Sequence, residues 1–426
     1  MEEEKHVLLI AYYWPPSGGA GVQRWLKMLK YLSKDNVKCT VITVDHKKAS
    51  YPILDESLLN EIEPNIHVIT TSTREPLNAY KKVTNSKETP YAGFANESNP
   101  SALKKFARWI RANFFIPDAR KGWNKFAYRK AVELINNEKI DTVITTSPPH
   151  STQLTGLKLK RKLNIRWIAD IRDPWTDIYY SDLFPQMDWA KRKDQKYERK
   201  VLENSDEVIV VSQAIKNLFL NKGKVSQSKI HVIPNGYDHV DFLDWPSADS
   251  SNKDGFKIVY TGTMSDQYPI DSFTDALSNL KEKIDLSFAG KISKNAQKKL
   301  EAHNSNFLGY IPHSESLLEL KKADALLLVI PQIENNEGIL TGKLFEYLGS
   351  MKPIILIGPI EGDAARIVNI CRSGCAFDYS DSKGIFNYLE DLISRKSQGQ
   401  ELHSPNREEI RNYSRKNLAS EVRKLL

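Results

Sequence analysis

Short, almost wholly apolar runs alternate along this chain with stretches whose apolar residues recur at helical spacing, and that alternation leaves few folds open. Runs such as VLLIAYY and EVIVV hold almost no polar residue. A strand with one face in water alternates polar and apolar, whereas a strand covered on both faces of a parallel sheet does not. Between the runs, Val22, Trp25, Leu26, Leu29 and Leu32 fall on one helical face. Strands are predicted at residues 6–12, 37–44, 67–70, 142–146, 166–170, 207–211 and 231–233. The composition then shifts: residues 238–255 are rich in Asp and Ser, hold a proline and show no period. Strand signals restart at 256–261, 285–289, 306–308, 325–330, 353–357 and 376–377, and a charged helical segment, 407–425, ends the chain. The pattern predicts two α/β domains with parallel sheets, 1–240 and 256–405, joined by a linker at 241–255.

Several classes are excluded. The longest apolar stretches, such as 325–330, fall far short of the ~18 residues of a membrane span. The start, MEEEKHVLLIAYYW, is acidic where a secretory signal is basic, so a cytoplasmic protein is expected. Cys371 and Cys375 have no second pair and no nearby His to complete a zinc site, so reduced thiols and no metal are expected. Lys plus Arg is 61 against 53 Asp plus Glu, a net charge of +8 that fits nucleic acid or an anionic membrane. The basic residues are interleaved with acids rather than gathered with stacking aromatics, which argues against nucleic acid. Residues 101–117 are different. Leu103, Phe106, Ile110 and Phe114 fall on one helical face and Lys104, Arg108 and Arg111 on another, a pattern suited to an anionic membrane surface or to a core helix with a solvated basic face.

Three turns suit an anion. The first predicted strand runs into Trp14-Pro15-Pro16-Ser17-Gly18-Gly19-Ala20-Gly21 and then a helix. Glycines admit close backbone approach, and a helix N-terminus presents free N–H groups. Gly19-x-Gly21 is followed by Arg24 where a dinucleotide fingerprint needs a third glycine, which argues against NAD although Asp45 ends the second strand. A second turn is Gly262-Thr263-Met264-Ser265. The third opens the helix GKLFEYL, with Thr341 as N-cap, free N–H groups at Gly342 and Lys343, and Glu346 near Lys343 on the same face. Two readings stand there: an ordinary capped helix with an i,i+3 ion pair, or a grip in which Lys343 takes a diphosphate and Glu346 two ribose hydroxyls.

Taken in order, YYWPPSGGAGVQRWLKMLKYL, ITTSPPHST, IADIRDPW, ERKVLENSDEVIVVS, IHVIPNGYDHVDF, IVYTGTMS, FLGYIPHSE, ADALLLVI and GILTGKLFEYLGSMKPIILIG resemble the retaining glycosyltransferases of family 4 over nearly the whole chain. The resemblance implies a glycosyltransferase-B architecture: two Rossmann-like parallel-sheet domains facing a central cleft, acceptor on the first and nucleotide sugar on the second. It implies that Gly18 and Gly19 face the donor phosphates, that Gly309, Tyr310 and Ile311 read the nucleobase, and that Thr341, Gly342 and Lys343 grip the diphosphate. It further implies that Glu346 holds the ribose and that the helix at 406–426 crosses back to the first domain. The chain departs from the family pattern in places. Gly338 stands where the first of two glutamates is usual, with Glu334 and Glu337 out of register, which leaves the sugar open. The usual Arg and Lys are missing after the second domain's first strand, where Gly262 and Thr263 remain and Lys291 is a substitute cation. Arg172 and Asp173 are assigned to the acceptor side, against the alternative of a buried pair tying the strand end. His150 reads as a satisfied cap histidine.

Sugar transfer builds negative charge on the leaving diphosphate, so cations and N–H donors aimed there carry the largest catalytic term. Lys343, Asp173 and Arg172 are the candidate catalytic residues. No D-x-D triplet occurs in the chain, so metal-independent transfer without a cofactor is expected, to a glycan or lipid-linked acceptor in cell-surface polysaccharide synthesis. A nucleotide-sugar epimerase of the same fold is the rival enzyme and a nucleic-acid binder the rival outside enzymes.

Overall fold

The computed structural model describes residues 4–75, 102–178, 185–223, 225–243, 245 and 255–426. The chain divides into two compact units, one of residues 1–234 with 418–426, the other of residues 235–417.

The first unit holds β1 (Lys5–Ile10), α1 (Ala20–Ser33), β2 (Val37–Val44), β3 (Ile66–Thr71), α2 (Ala102–Phe114), α3 (Asn124–Asn137), β4 (Thr142–Ser147), α4 (Ser151–Leu163), β5 (Arg166–Ile171), α5 (Asp188–Asn204), β6 (Glu207–Val210), α6 (Gln213–Asn221) and β7 (Ile230–Val232). Its sheet is parallel in the order β3-β2-β1-β4-β5-β6-β7. Successive residues of β1 feed opposite layers. Val7 and Leu9 pack with α1, and Leu8 and Ile10 pack with Trp123 and Ala127 on the other face. Both layers are buried, which accounts for the unbroken apolar runs.

The second unit holds β8 (Phe256–Thr261), α7 (Asp271–Asn279), β9 (Ile284–Ala289), α8 (Lys294–Leu300), β10 (Ser305–Gly309), α9 (His313–Lys322), β11 (Ala325–Val329), α10 (Gly342–Ser350), β12 (Ile354–Ile357), α11 (Asp363–Ile370), β13 (Gly374–Phe377), α12 (Ser382–Ser397) and α13 (Arg407–Asn412). Its parallel sheet runs β10-β9-β8-β11-β12-β13. Leu327 and Val329 join one core layer and Leu326 and Leu328 the other. In both sheets the strand order reverses beside the first strand, between β1 and β4 and between β8 and β11. Doubly wound sheets open a crevice beyond the carboxyl ends of their strands at such a point.

Two boundaries differ from the sequence reading. The first unit ends at Pro234, because the segment read as the end of that domain and the start of a linker folds into the second. Tyr237 and Phe242 meet edge to face, and a side chain at Gly349 of α10 would collide with both rings. The terminal segment is two helices, α13 and α14 (Arg415–Lys424), rather than one. Between them the backbone leaves the helix to pair with Tyr237, whose N–H donates to the Tyr413 carbonyl and whose carbonyl accepts from Arg415 N–H. Ile410 lies in the second unit's core, whereas Leu418, Ala419 and Val422 lie in the first unit's, with Leu425 and Leu426 packed against it.

Candidate functional site

In the second unit the candidate residues converge on the carboxyl edge of the sheet. Gly262, Gly290 and Gly309 end or follow β8, β9 and β10, all with positive φ. They stack closely: Gly262 N–H donates to the Ala289 carbonyl at 2.7 Å, and Gly290 N–H donates to the Gly309 carbonyl at 2.6 Å. A Cβ at Gly290 would lie 2.2 Å from the Gly262 carbonyl oxygen, so a side chain there is sterically barred. The three loops thus form a backbone shelf.

Lys343, in the first turn of α10, lies over that shelf. A Cβ built on Gly262 would sit 3.2 Å from its Cδ. Its Nζ donates to Tyr260 Oη at 2.5 Å and stands 4.2 Å and 5.4 Å from the ring centroids of Tyr260 and Tyr268. The Tyr260 hydroxyl in turn donates to the Thr263 carbonyl at 2.8 Å. Burial pulls the Lys343 ammonium down to about 7, against the opposing pull of Glu346. Thr341 occupies the N-cap position of α10 but its side chain caps nothing, and its hydroxyl oxygen is buried without a partner. That corrects the reading of Thr341 as a side-chain cap. The hydroxyl is a buried polar group without a protein partner, next to a helix N-terminus and a lysine.

Glu346 forms no ion pair with Lys343, which removes the i,i+3 reading. Its Oε1 stands 3.4 Å from Nε2 of His313 instead. Lys343 turns toward Gly262 because the aromatic pair holds it there. His313 was not singled out in the sequence; its place directly after Gly309-Tyr310-Ile311-Pro312 was the available signal. The Tyr310 ring is 79% exposed, while Ile311 is half-buried. Thr263 and Lys291 are exposed, and the Lys291 carbonyl accepts from Met264 N–H at 3.0 Å. Glu334 and Glu337 are exposed on the loop before α10.

In the first unit, Gly18 and Gly19 form the turn into α1. Gly18 N–H donates to the Ile53 carbonyl at 3.0 Å, and a Cβ on Gly18 would meet Ile53 Cγ2 at 2.9 Å. Gly19, φ 101°, has open space where a Cβ would be. The buried ion pair of this edge is Arg24–Asp170, at 2.9 Å, not Arg172–Asp173. Asp170 also accepts from Trp25 Nε1 at 2.7 Å and from Thr146 Oγ1 at 2.6 Å, while Arg24 donates to the carbonyls of Ile233 and Pro234. Arg24, which displaces the third glycine of a dinucleotide fingerprint, thereby ties β5 to the end of β7. Arg172 donates to the carbonyls of Ser147, at 3.0 Å, and Gly21, at 2.8 Å, which fixes the glycine turn against β4. Burial raises the carboxyl of Asp173 in spite of Arg172. His150 is not the satisfied cap expected of it. It caps no N–H, stacks on Trp175 at 4.8 Å, and leaves Nδ1 buried without a partner. Burial lowers it to about 3, so its ring is neutral.

Two doubly wound sheets with glycine turns at their switch points define the glycosyltransferase-B fold, and solved structures agree. HepE from Anabaena, in complex with UDP, superposes with a TM-score of 0.63 at 12% identity over 99% of both chains. Sucrose-phosphate synthase from Thermosynechococcus elongatus gives 0.61 at 14% over 99% of this chain and 98% of that one. A glycosyltransferase from Rickettsia africae gives 0.63 at 15% over 99% and 98%. The chain belongs to Glycosyltransferase Family 4, whose sequence profile matches residues 18–240, and it is a glycosyltransferase. No curated protein matches its sequence.

Proposed function

We propose that the chain transfers a sugar from a nucleotide-diphosphate donor to a glycan or lipid-linked acceptor, with retention and without a metal, in cell-surface polysaccharide synthesis. One observation carries the donor assignment. Lys343 lies over the glycine shelf at a helix N-terminus whose N-cap hydroxyl is buried without a partner, with a carboxylate three residues further along α10. The diphosphate lies against Gly262, Thr341, Gly342 and Lys343, with Thr263 and Lys291 at its rim. The ribose reaches Glu346, and the base lies along Gly309, Tyr310 and Ile311. As the glycosidic bond breaks, charge grows on the diphosphate, and Lys343 with the α10 N–H groups is aimed where it grows. In the first unit, Gly19, beside Gly18 in the turn, leaves the backbone open to a ligand, and Arg172, Asp173 and neutral His150 line the acceptor side. HepE was solved with UDP-glucose, which makes UDP-hexoses the first probes.

We infer further that the protein docks on an anionic membrane, at the cytoplasmic face, through α2 and the start of α5. Rings of Phe106, Trp109, Phe114 and Trp189 form a chain with centroid distances of 6.1, 5.9 and 6.0 Å. Phe106, Phe114, Met187 and Trp189 are exposed. Asn113 locks the two segments together, donating to the carbonyls of Trp109 and Pro185 and accepting from Met187 N–H. Burial first and the nearby Lys193 second lower the ammonium of exposed Lys121. Ser101 and the side chains of Leu103, Lys104 and Arg108 lie outside the described residues.

The test of the enzymatic reading is a panel of nucleotide sugars read by thermal shift and by transfer to a glycan acceptor. A donor at one hundred times its Kd stabilises the fold by about 2.7 kcal/mol. Transfer that requires acceptor supports the reading. No stabilisation by any nucleotide sugar removes it, and acceptor-free conversion of the donor to its epimer favours the epimerase.

A further inference from the structure

Glu346 sits near the middle of α10, and its Oε1 faces His313 across the gap between two elements. His313 is the first residue of α9 and comes four residues after Gly309, whose carbonyl is already fixed by Gly290 N–H. The segment assigned to the base and the carboxylate assigned to the ribose are therefore joined by one side-chain contact. A half-buried glutamate on a helix has several rotamers to choose from, and a single fixed partner on one oxygen removes that freedom. The other oxygen, Oε2, has no protein partner among the described residues.

We propose that His313 is a positioning residue that holds Glu346 by one oxygen, leaving the other to accept from the donor ribose. The inference rests on the donor reading above. The contact with the Glu346 carboxylate raises the His313 imidazole above its ordinary value, burial opposes that, and Asp241 and Arg415 pull in opposite directions from the turn at His239–Phe242 and from α14. An imidazolium donor is also the stronger partner for a carboxylate. A rigid acceptor gains ribose affinity because no rotamer has to be frozen when the nucleotide arrives.

The experiment measures, by calorimetry, the affinities of UDP, GDP and ADP and of their 2′-deoxy counterparts for the intact protein and its variants. In the unmodified protein the best ribonucleotide binds about tenfold more tightly than its deoxy form, as expected of hydrogen bonds to a charged acceptor. In His313→Ala that ratio falls to about twofold. In His313→Gln, whose amide nitrogen reaches the place of Nε2, it returns to near tenfold. His313→Asn, too short to reach Glu346, serves as a second disrupting variant if the alanine form does not fold. A merely structural histidine lowers the melting temperature and leaves the ratio alone. An unchanged ratio in His313→Ala or His313→Asn overturns the proposal and leaves the donor site standing. A ratio near one in the unmodified protein, or no binding of any of the three diphosphates, overturns both.

Discussion

Lys343 has its charge held in balance by its surroundings. Burial between two tyrosine rings brings its ammonium to about 7, so it is partly neutral near pH 7 before a donor arrives. A diphosphate favours the charged form and raises that value in the complex, so donor binding takes up a proton at alkaline pH. Affinity is then greatest below pH 7 and falls as pH rises through the free-state value, by up to about tenfold per unit. Titration calorimetry of the donor between pH 7 and 9 checks this, with Lys343→Arg flattening the curve because a guanidinium keeps its charge. Lys343→Ala loses about 10- to 100-fold, more in turnover than in donor Kd, since the charge it meets grows in the transition state. Glu346→Gln loses a similar factor in donor affinity. Both keep nearly unchanged melting temperatures; near-normal transfer by either removes that residue from the site. Lys343 and Glu346 were singled out because helix spacing puts them three residues apart on one helix, Lys343 in its first turn. Their partners were not. The Lys343–Tyr260 and Glu346–His313 contacts join residues 83 and 33 positions apart, through strand ends that only the sheet order brings together.

At the scale of elements, α2 shows what periodicity can and cannot say. It marked an amphipathic helix whose aromatic face belonged to a membrane surface or to the core, and Phe106 and Phe114 are 59% and 56% exposed. It gave no hint that Trp189 and Met187, more than seventy residues later, extend the same patch, because Asn113 supplies the link. If the patch meets a membrane, the protein co-sediments with phosphatidylglycerol vesicles at low salt and less at high salt, where surface charge is screened. The double variant Phe114→Ala/Trp189→Ala loses most of that recovery. Equal recovery with phosphatidylcholine vesicles rules the docking out. The terminal segment was read as one helix because its charge pattern does not break. What divides it is a backbone pairing with Tyr237, a partner far away in sequence.

Across the whole molecule, the thirteen apolar runs correspond to thirteen strands among the described residues, shifted at their ends by a residue or two. They were readable because both faces of each sheet are covered, so burial is written into every position of the central strands. The unit boundary was less readable. A polar, irregular segment such as 238–243 looks like a linker, yet Phe242 packs in the second unit's core. The absence of a D-x-D triplet bears on the molecule as an enzyme. Transfer activity is expected to survive EDTA, with Lys343 and the α10 N-terminus meeting the diphosphate charge. A loss restored by Mg²⁺ or Mn²⁺ overturns that expectation.

The division of the chain also sets an order of completion during synthesis. The second unit is contiguous, from Asn235 to Asn417, so its core needs no residue from outside that span. The first unit, although started first, waits for Leu418, Ala419 and Val422 to cover the layer built on Val7, Leu9 and α1. Without those residues the first unit's layer lacks part of its cover. The unit built mostly from the earlier residues is therefore the one whose core is completed later along the chain.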